Sequence, residues 1–235
     1  MLKILQANEK YESKLKKYTT KDGILAFLLF GIIMLCYSIL ALLQIKFEFI
    51  KENILLIGII FNVLIIIITI LFIKLNKQTL DSVGLYKGKW KNSIIIGIIL
   101  ACILFFNNCL SHLIEGSNLI SLQDILVLLV YYLLISLCEE IAFRGYIGTR
   151  IYGLFQRRWL AVSIVGMLFI IMHFPYRMIA YGMTLSDLTI NNFSWIIDLF
   201  ITHIVFNFIY LKTNSLYGAI IPHWMSNFAN SIILK

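Results

Sequence analysis

The 235-residue chain is 60% hydrophobic and 14% charged, with two prolines and a mean hydropathy of +0.90. Such values exclude an ordinary soluble domain and indicate an all-α polytopic membrane protein. The formal charge of +8 does not point to nucleic acid, because the basic residues sit in short segments between long apolar runs, where they set topology.

In chain order, residues 1–23 form a basic arm, with Lys3, Lys10, Lys14, Lys16, Lys17 and Lys21 against Glu9, Glu12 and Asp22. The arm lacks the apolar core and small-residue cleavage site of a secretory signal, and is expected on the cytosolic face. Ile24–Ile45 and Ile54–Ile73 each hold about 20 apolar residues, enough for a helix to cross roughly 30 Å of hydrocarbon. A lysine-rich segment with Lys74, Lys77, Lys87, Lys89 and Lys91 precedes a third run, Ser93–Ile114. The segment Glu115–Asp124 has no basic residue and reads as external.

The fourth run extends from Ile125 to about Ile147, and the fifth, Trp159–Phe174, stops at Pro175. A sixth, Phe193–Leu211, and a seventh, Leu216–Leu234, complete the chain. Lysines and arginines alternate between the loops as the positive-inside rule requires for about seven spans and a cytosolic N-terminus. The division expected is an arm (1–23), three N-terminal spans with their loops (24–124), and a unit of the last four spans (125–235). Cys36, Cys102, Cys109 and Cys138 fall in or beside apolar runs without a CxxC pair, so they read as small buried hydrophobes.

Chemistry must come from polar groups within the spans, where charge is expensive and marks function by default. In the fourth run Glu140 and Arg144 stand four apart, acid before base, the order that favours an intrahelical ion pair. Glu139 points about 100° away around the helix and is the carboxylate left free to act as general base and then general acid. The later runs each carry a histidine in a four-residue spacing: Phe169 with His173, His203 with Asn207, and His223 with Asn227. Lysine distribution puts Glu139 in the cytosolic half of the fourth span and His173 near the outer end of the fifth. For the two to meet, the fourth helix must run deeper or the fifth must be tilted or re-entrant. His112, with Asn107 and Asn108, reads as interhelical hydrogen bonding in the third span.

Glu139-Glu140-x-x-x-Arg144, Phe169-x-x-x-His173 and His223-x-x-x-Asn227, in that order on separate spans, resemble the CPBP family of CAAX protease and bacteriocin-processing membrane endopeptidases, also called Abi proteins. The resemblance covers roughly Leu126 to the C-terminus and includes the approach Leu211–His223. It does not extend with the same assurance to His203 and Asn207, which read as an additional polar pair or a further ligand.

The resemblance implies hydrolysis of a peptide bond in a membrane-associated peptide or protein. Glu139, assisted by His173, would activate a water; Glu140 and Arg144 would fix the geometry; His223 and Asn227 would donate to the oxyanion. A zinc ion held by His173, His223 and Glu139 is the alternative to metal-free hydrolysis. The name CAAX points to prenylated proteins, whereas the heavy use of Ile, Lys and Asn points to a low-GC bacterium, whose plasma membrane would be the setting and peptide maturation or bacteriocin self-immunity the role. Two other classes fit the sequence, a non-proteolytic scaffold or immunity factor binding a membrane partner, and a proton-relaying transporter.

Overall fold

A computed structural model describes residues 8–85, 90–114, 116–155 and 157–233, and within them all side chains except those of residues 111–113. The expectations for Lys3, Lys87, Lys89, Glu115 and the His112 side chain lie outside these described residues. Helix α1 spans Glu9–Leu15, α2 Thr20–Lys46, α3 Glu48–Glu52, α4 Ile54–Leu75 and α5 Trp90–Ile114. Helix α6 spans Leu122–Glu139 and passes without a break through a π-helix, Glu140–Ile147, into α7, Gly148–Phe155. Helices α8 (Arg158–Met172), α9 (Phe174–Tyr181), α10 (Phe193–Thr213) and α11 (Tyr217–Ala229) complete the bundle.

Six helical runs among the described residues are long and apolar enough to cross a membrane, and the protein is an all-α polytopic membrane protein. The outside of the bundle is greasy: Leu28, Leu35 and Leu42 on α2, Ile60 and Ile67 on α4, and Ile99 and Ile103 on α5 are all exposed. Lipid rather than water can solvate such a surface, and helices leave no backbone polar group unpaired within it. The inner faces carry small residues where helices approach closely. A Cβ on Gly97 would lie 3.0 Å from the Gly218 Cα, and one on Gly218 would lie 2.8 Å from the Ser93 carbonyl oxygen. Glycine at both positions lets α5 and α11 pack backbone to backbone, as intramembrane helices prefer.

Three expected spans differ in length. The fourth continues past Ile147 to Phe155, a 34-residue run, because nothing in Gly148–Phe155 breaks a helix and its buried face (Thr149, Arg150, Ile151, Gly153) packs inward. The fifth does not stop at Pro175. Met172 leads through His173 into α9, where Pro175 sits in the first turn, a position that needs no amide hydrogen. The seventh is too short to cross: α11 has 13 residues, about 20 Å of helix against roughly 30 Å of hydrocarbon. It lies against α5 and α6 instead.

The arm folds back on the bundle. Asn8 caps α1 by accepting from the Lys10 amide at 3.0 Å, and Tyr11 and Leu15 bury against Tyr210, Leu211 and Leu216. Helix α2 then starts from a capping box in which the Thr19 amide and hydroxyl both donate to the Asp22 carboxylate, at 2.8 and 2.7 Å.

Candidate active site

The Glu pair falls where α6 gives way to the π-helix Glu140–Ile147, all eight residues of which are buried. A π segment widens the turn and re-aims the side chains that follow, which is why such segments recur at functional sites. Its far end is fastened by Arg150, which donates from Nη1 to the Gly145 carbonyl at 3.1 Å and from Nη2 to Ser82 Oγ at 2.8 Å. The same guanidinium bonds Gln78 and stacks over Tyr146 at 4.1 Å. Gly145 is required here, since a Cβ would stand 2.9 Å from the Val83 carbonyl oxygen. The loop after α4 thus clamps the π-helix. The clamp depends on a contact 68 residues away in sequence, which no local pattern announces.

Glu140 is fully buried and Arg144 is 1% exposed. Arg144 Nη1 donates to Glu140 Oε1, the pairing expected from their spacing. The guanidinium lies between two aromatic faces, Phe169 at 5.2 Å and Phe206 at 5.1 Å, which supply cation–π attraction where water is absent. His223 joins from α11, with Nδ1 2.7 Å from Glu140 Oε1 and Nε2 3.5 Å from Glu139 Oε2. A carboxylate only accepts, so Nδ1 carries a proton. Nε2 then faces a second carboxylate, and a further proton shared between His223 and Glu139 would bring two carboxylates and one guanidinium to neutrality.

Glu139 also opens on a cavity of about 280 Å³, together with His173, Tyr37, Asn62, Tyr131 and Arg177. His173 Nδ1 lies 2.8 Å from the Phe169 carbonyl oxygen. It must donate there, so the neutral ring leaves Nε2 as an acceptor. The ring is steadied edge-on by Phe169 at 5.1 Å and Trp195 at 5.6 Å.

The extra helix length brings Glu139 and His173 level. Glu139 lies about 16 residues before Phe155 and His173 about 15 residues after Arg158, so both stand roughly 23 Å from the connection that joins the two antiparallel runs. Phe143 and Phe169, one turn nearer that connection, meet at 5.3 Å. The mismatch of depth expected from the sequence arose from ending both helices too early.

The other sequence candidates are placed differently. Asn227 shares the α11 face of His223 at a spacing of four, but among the described residues its side chain has no hydrogen bond to the cluster, and it does not line the cavity. His203 and Asn207 do not line it either. His203 Nε2 is 3.1 Å from the Val162 carbonyl oxygen and 3.1 Å from Asn207 Nδ2, tying α10 to α8. Conversely, the first hairpin, which carries no motif, builds one wall of the cavity. Tyr37 donates to Asn62 Oδ1 at 3.1 Å, and the Asn62 amide donates to the Gly58 carbonyl at 2.8 Å. A single asparagine amid the isoleucines of α4 was the signal available for it.

Among the described residues no three His, Cys, Asp or Glu side chains are grouped to hold a metal ion. Of the set a zinc site would use, His173 and His223 each turn Nδ1 to an oxygen acceptor, which leaves Nε2 of each ring as the nitrogen that could ligate, and His223 Nε2 lies 3.5 Å from the Glu139 carboxylate.

Residues 121–229 match the family model described as type II CAAX prenyl endopeptidase Rce1-like. No curated protein and no solved structure matches the chain. The matched segment starts at the α6 cap and contains Glu139, Glu140, Arg144, His173 and His223. Over residues 121–229, a little under half of its length, this chain is therefore similar to the Rce1-like type II CAAX prenyl endopeptidases, in agreement with the resemblance carried by its motifs.

Proposed function

We propose that the protein is an intramembrane endopeptidase that hydrolyses a peptide bond in a membrane-associated peptide or protein, with a water activated by Glu139 and His173. The observation that carries this reading is the division of labour within one cluster. Glu140 is locked between Arg144 and His223, while Glu139 and His173 face a common cavity. A carboxylate facing the cavity is placed to take a proton from a water held there, and an imidazole with a free acceptor nitrogen on the same cavity can share it.

The step balances simply. Water adds through oxygen to the scissile carbonyl as its proton passes to Glu139. When the C–N bond breaks, that proton goes to the departing amine, and His223 Nε2, facing Glu139, is placed to stabilise whichever partner holds it meanwhile. One water is consumed and a carboxyl and an amine are released. Glu140, itself paired with Arg144, would hold His223 in place.

The chain would sit in a bacterial plasma membrane with its lysine-rich arm on the cytosolic side, a reading supported by the distribution of lysine and arginine between its loops. Its role there would be peptide maturation or bacteriocin self-immunity. The test is turnover of a membrane-tethered reporter peptide by the purified chain and by Glu139→Gln and His173→Ala variants of normal expression. Loss of cleavage in both is expected; full turnover by both would end the proposal.

A further inference from the structure

A second cavity, of about 430 Å³, is lined by the arm and by the segments after α4 and α10, and shares no lining residue with the first. It is walled by α1, by the loop after α4 and by the end of α10. Lys10, Lys14, Lys17 and Lys77 line it, with Asp81 as the one acidic lining residue. We infer that this cavity binds a phosphate group, and that its natural occupant is the headgroup of an anionic phospholipid.

Charge is the first argument. Lys14, Lys17 and Lys77 are brought to one cavity by folding, where like charges repel and Asp81 is the acid among the described lining residues. Lys14 is the best placed. Its Nζ is held at 2.8 Å by Tyr210 Oη and at 2.7 Å by Asn214 Oδ1, with the Tyr11 and Tyr210 rings beside it at 5.0 and 4.8 Å. None of these partners is anionic, so the amine is positioned without a counter-charge, and an arriving anion would favour its ammonium form.

Backbone conformation fixes where two of the lining residues stand. Among the described residues only two that are not glycine adopt a left-handed backbone, Lys77 at φ 55° and Asn214 at φ 52°. Both line this cavity. They are the left-handed residues that terminate α4 and α10, so each is held at the cavity by the end of a helix.

Depth decides the occupant. The lining residues stand at the C-terminal ends of α4 and α10 and just before the start of α2, which is where three membrane-crossing helices leave the hydrocarbon. Lipid phosphates lie at that level, and hydroxyls of Thr79 and Ser82 border the cavity as further donors. Ammonium groups act on phosphate as point charges, which suits a ring of lysines better than it suits base or sugar recognition.

The proposal is independent of peptidase activity and is tested without it. The purified full chain in a neutral detergent is titrated with short-chain phosphatidylglycerol, with phosphatidylcholine and with inorganic phosphate, reading thermal unfolding. Phosphatidylglycerol should raise the midpoint saturably and phosphatidylcholine should not. Lys17→Gln/Lys77→Gln, which changes two exposed side chains, should weaken the response about tenfold or more. Asp81→Asn should strengthen it several-fold, which loss of structure could not do. Saturable stabilisation by inorganic phosphate alone, lost in the double variant, would keep the phosphate site and assign it a soluble ligand. Equal response to phosphatidylcholine, or a response untouched by the lysine substitutions, would overturn the proposal.

Discussion

His223 Nδ1 stands 2.7 Å from Glu140 Oε1 while its other ring nitrogen faces Glu139 at 3.5 Å. One imidazole from the C-terminal helix therefore reads both members of an adjacent carboxylate pair. The two glutamates are not equivalent: Glu140 has Arg144 as well and no exposure, whereas Glu139 has the cavity. This asymmetry separates what each substitution should do.

Glu139→Gln should reduce turnover of a reporter peptide by at least about a hundredfold, as expected when a general base is removed. Thermal unfolding in detergent should change little, because the amide keeps the shape and can still meet His223. A variant with wild-type turnover would show that Glu139 is not the base.

Glu140→Gln should behave in the opposite way. Arg144 would keep its charge between Phe169 and Phe206 with no counter-charge, and breaking a buried pair costs about 3–5 kcal/mol. The expected outcome is a marked drop in unfolding temperature and in expressed, detergent-stable protein. A substitution that lost activity at unchanged stability would assign Glu140 to the chemistry instead.

Gly218→Val tests the packing that delivers His223. A Cβ there would meet Ser93 Oγ and its carbonyl oxygen at 2.8 Å and Ile209 Cγ2 at 2.6 Å, and it would displace the Gly218 amide from Ser93 Oγ, now 2.8 Å away. Overpacking of this kind costs about 1–3 kcal/mol. Stability should fall by that order, and cleavage with it, although position 218 touches no reacting group; unchanged unfolding would mean that α5 and α11 are not so closely seated.

The arm should respond to pH. Burial, with the Arg150 charge adding to it and Asp81 opposing it, lowers the Lys14 ammonium to about 7. A lysine whose folded value is depressed binds fewer protons folded than unfolded between that pH and its ordinary value near 10.4. Docking of α1 should therefore strengthen as pH rises through this window and be weakest below about pH 7. Protection of the Tyr11 segment from proteolysis, followed from pH 6 to pH 9.5, should increase. Lys14→Met should flatten the profile.

Residue type and spacing were enough for the class of the protein and for most of the cluster. Runs of about 20 apolar residues require helices in lipid, and an i,i+4 acid and base on one helix will pair wherever that helix goes. Glu140 with Arg144 was legible for that reason, and so were Glu139, His173 and His223 as candidates. Helix ends were less so. Pro175 looks like a stop in the sequence, yet in a first turn it is harmless, and Gly148–Phe155 looks like a loop until its buried face finds α2 and α8.

What the sequence by itself determined was a membrane-embedded helical bundle with an acidic pair at its centre, because the solvent and the local period leave no other way to bury those residues. Only the tertiary structure decided which groups meet. His223 reaches Glu140 across 83 residues of chain, Asn62 and Tyr37 wall the cavity from a hairpin that has no motif, and Asn227 stays out of it. Such meetings depend on the length and seating of whole helices, fixed by contacts such as Gly97 against Gly218 and Arg150 against Ser82, and these are long-range packing choices that no local pattern encodes.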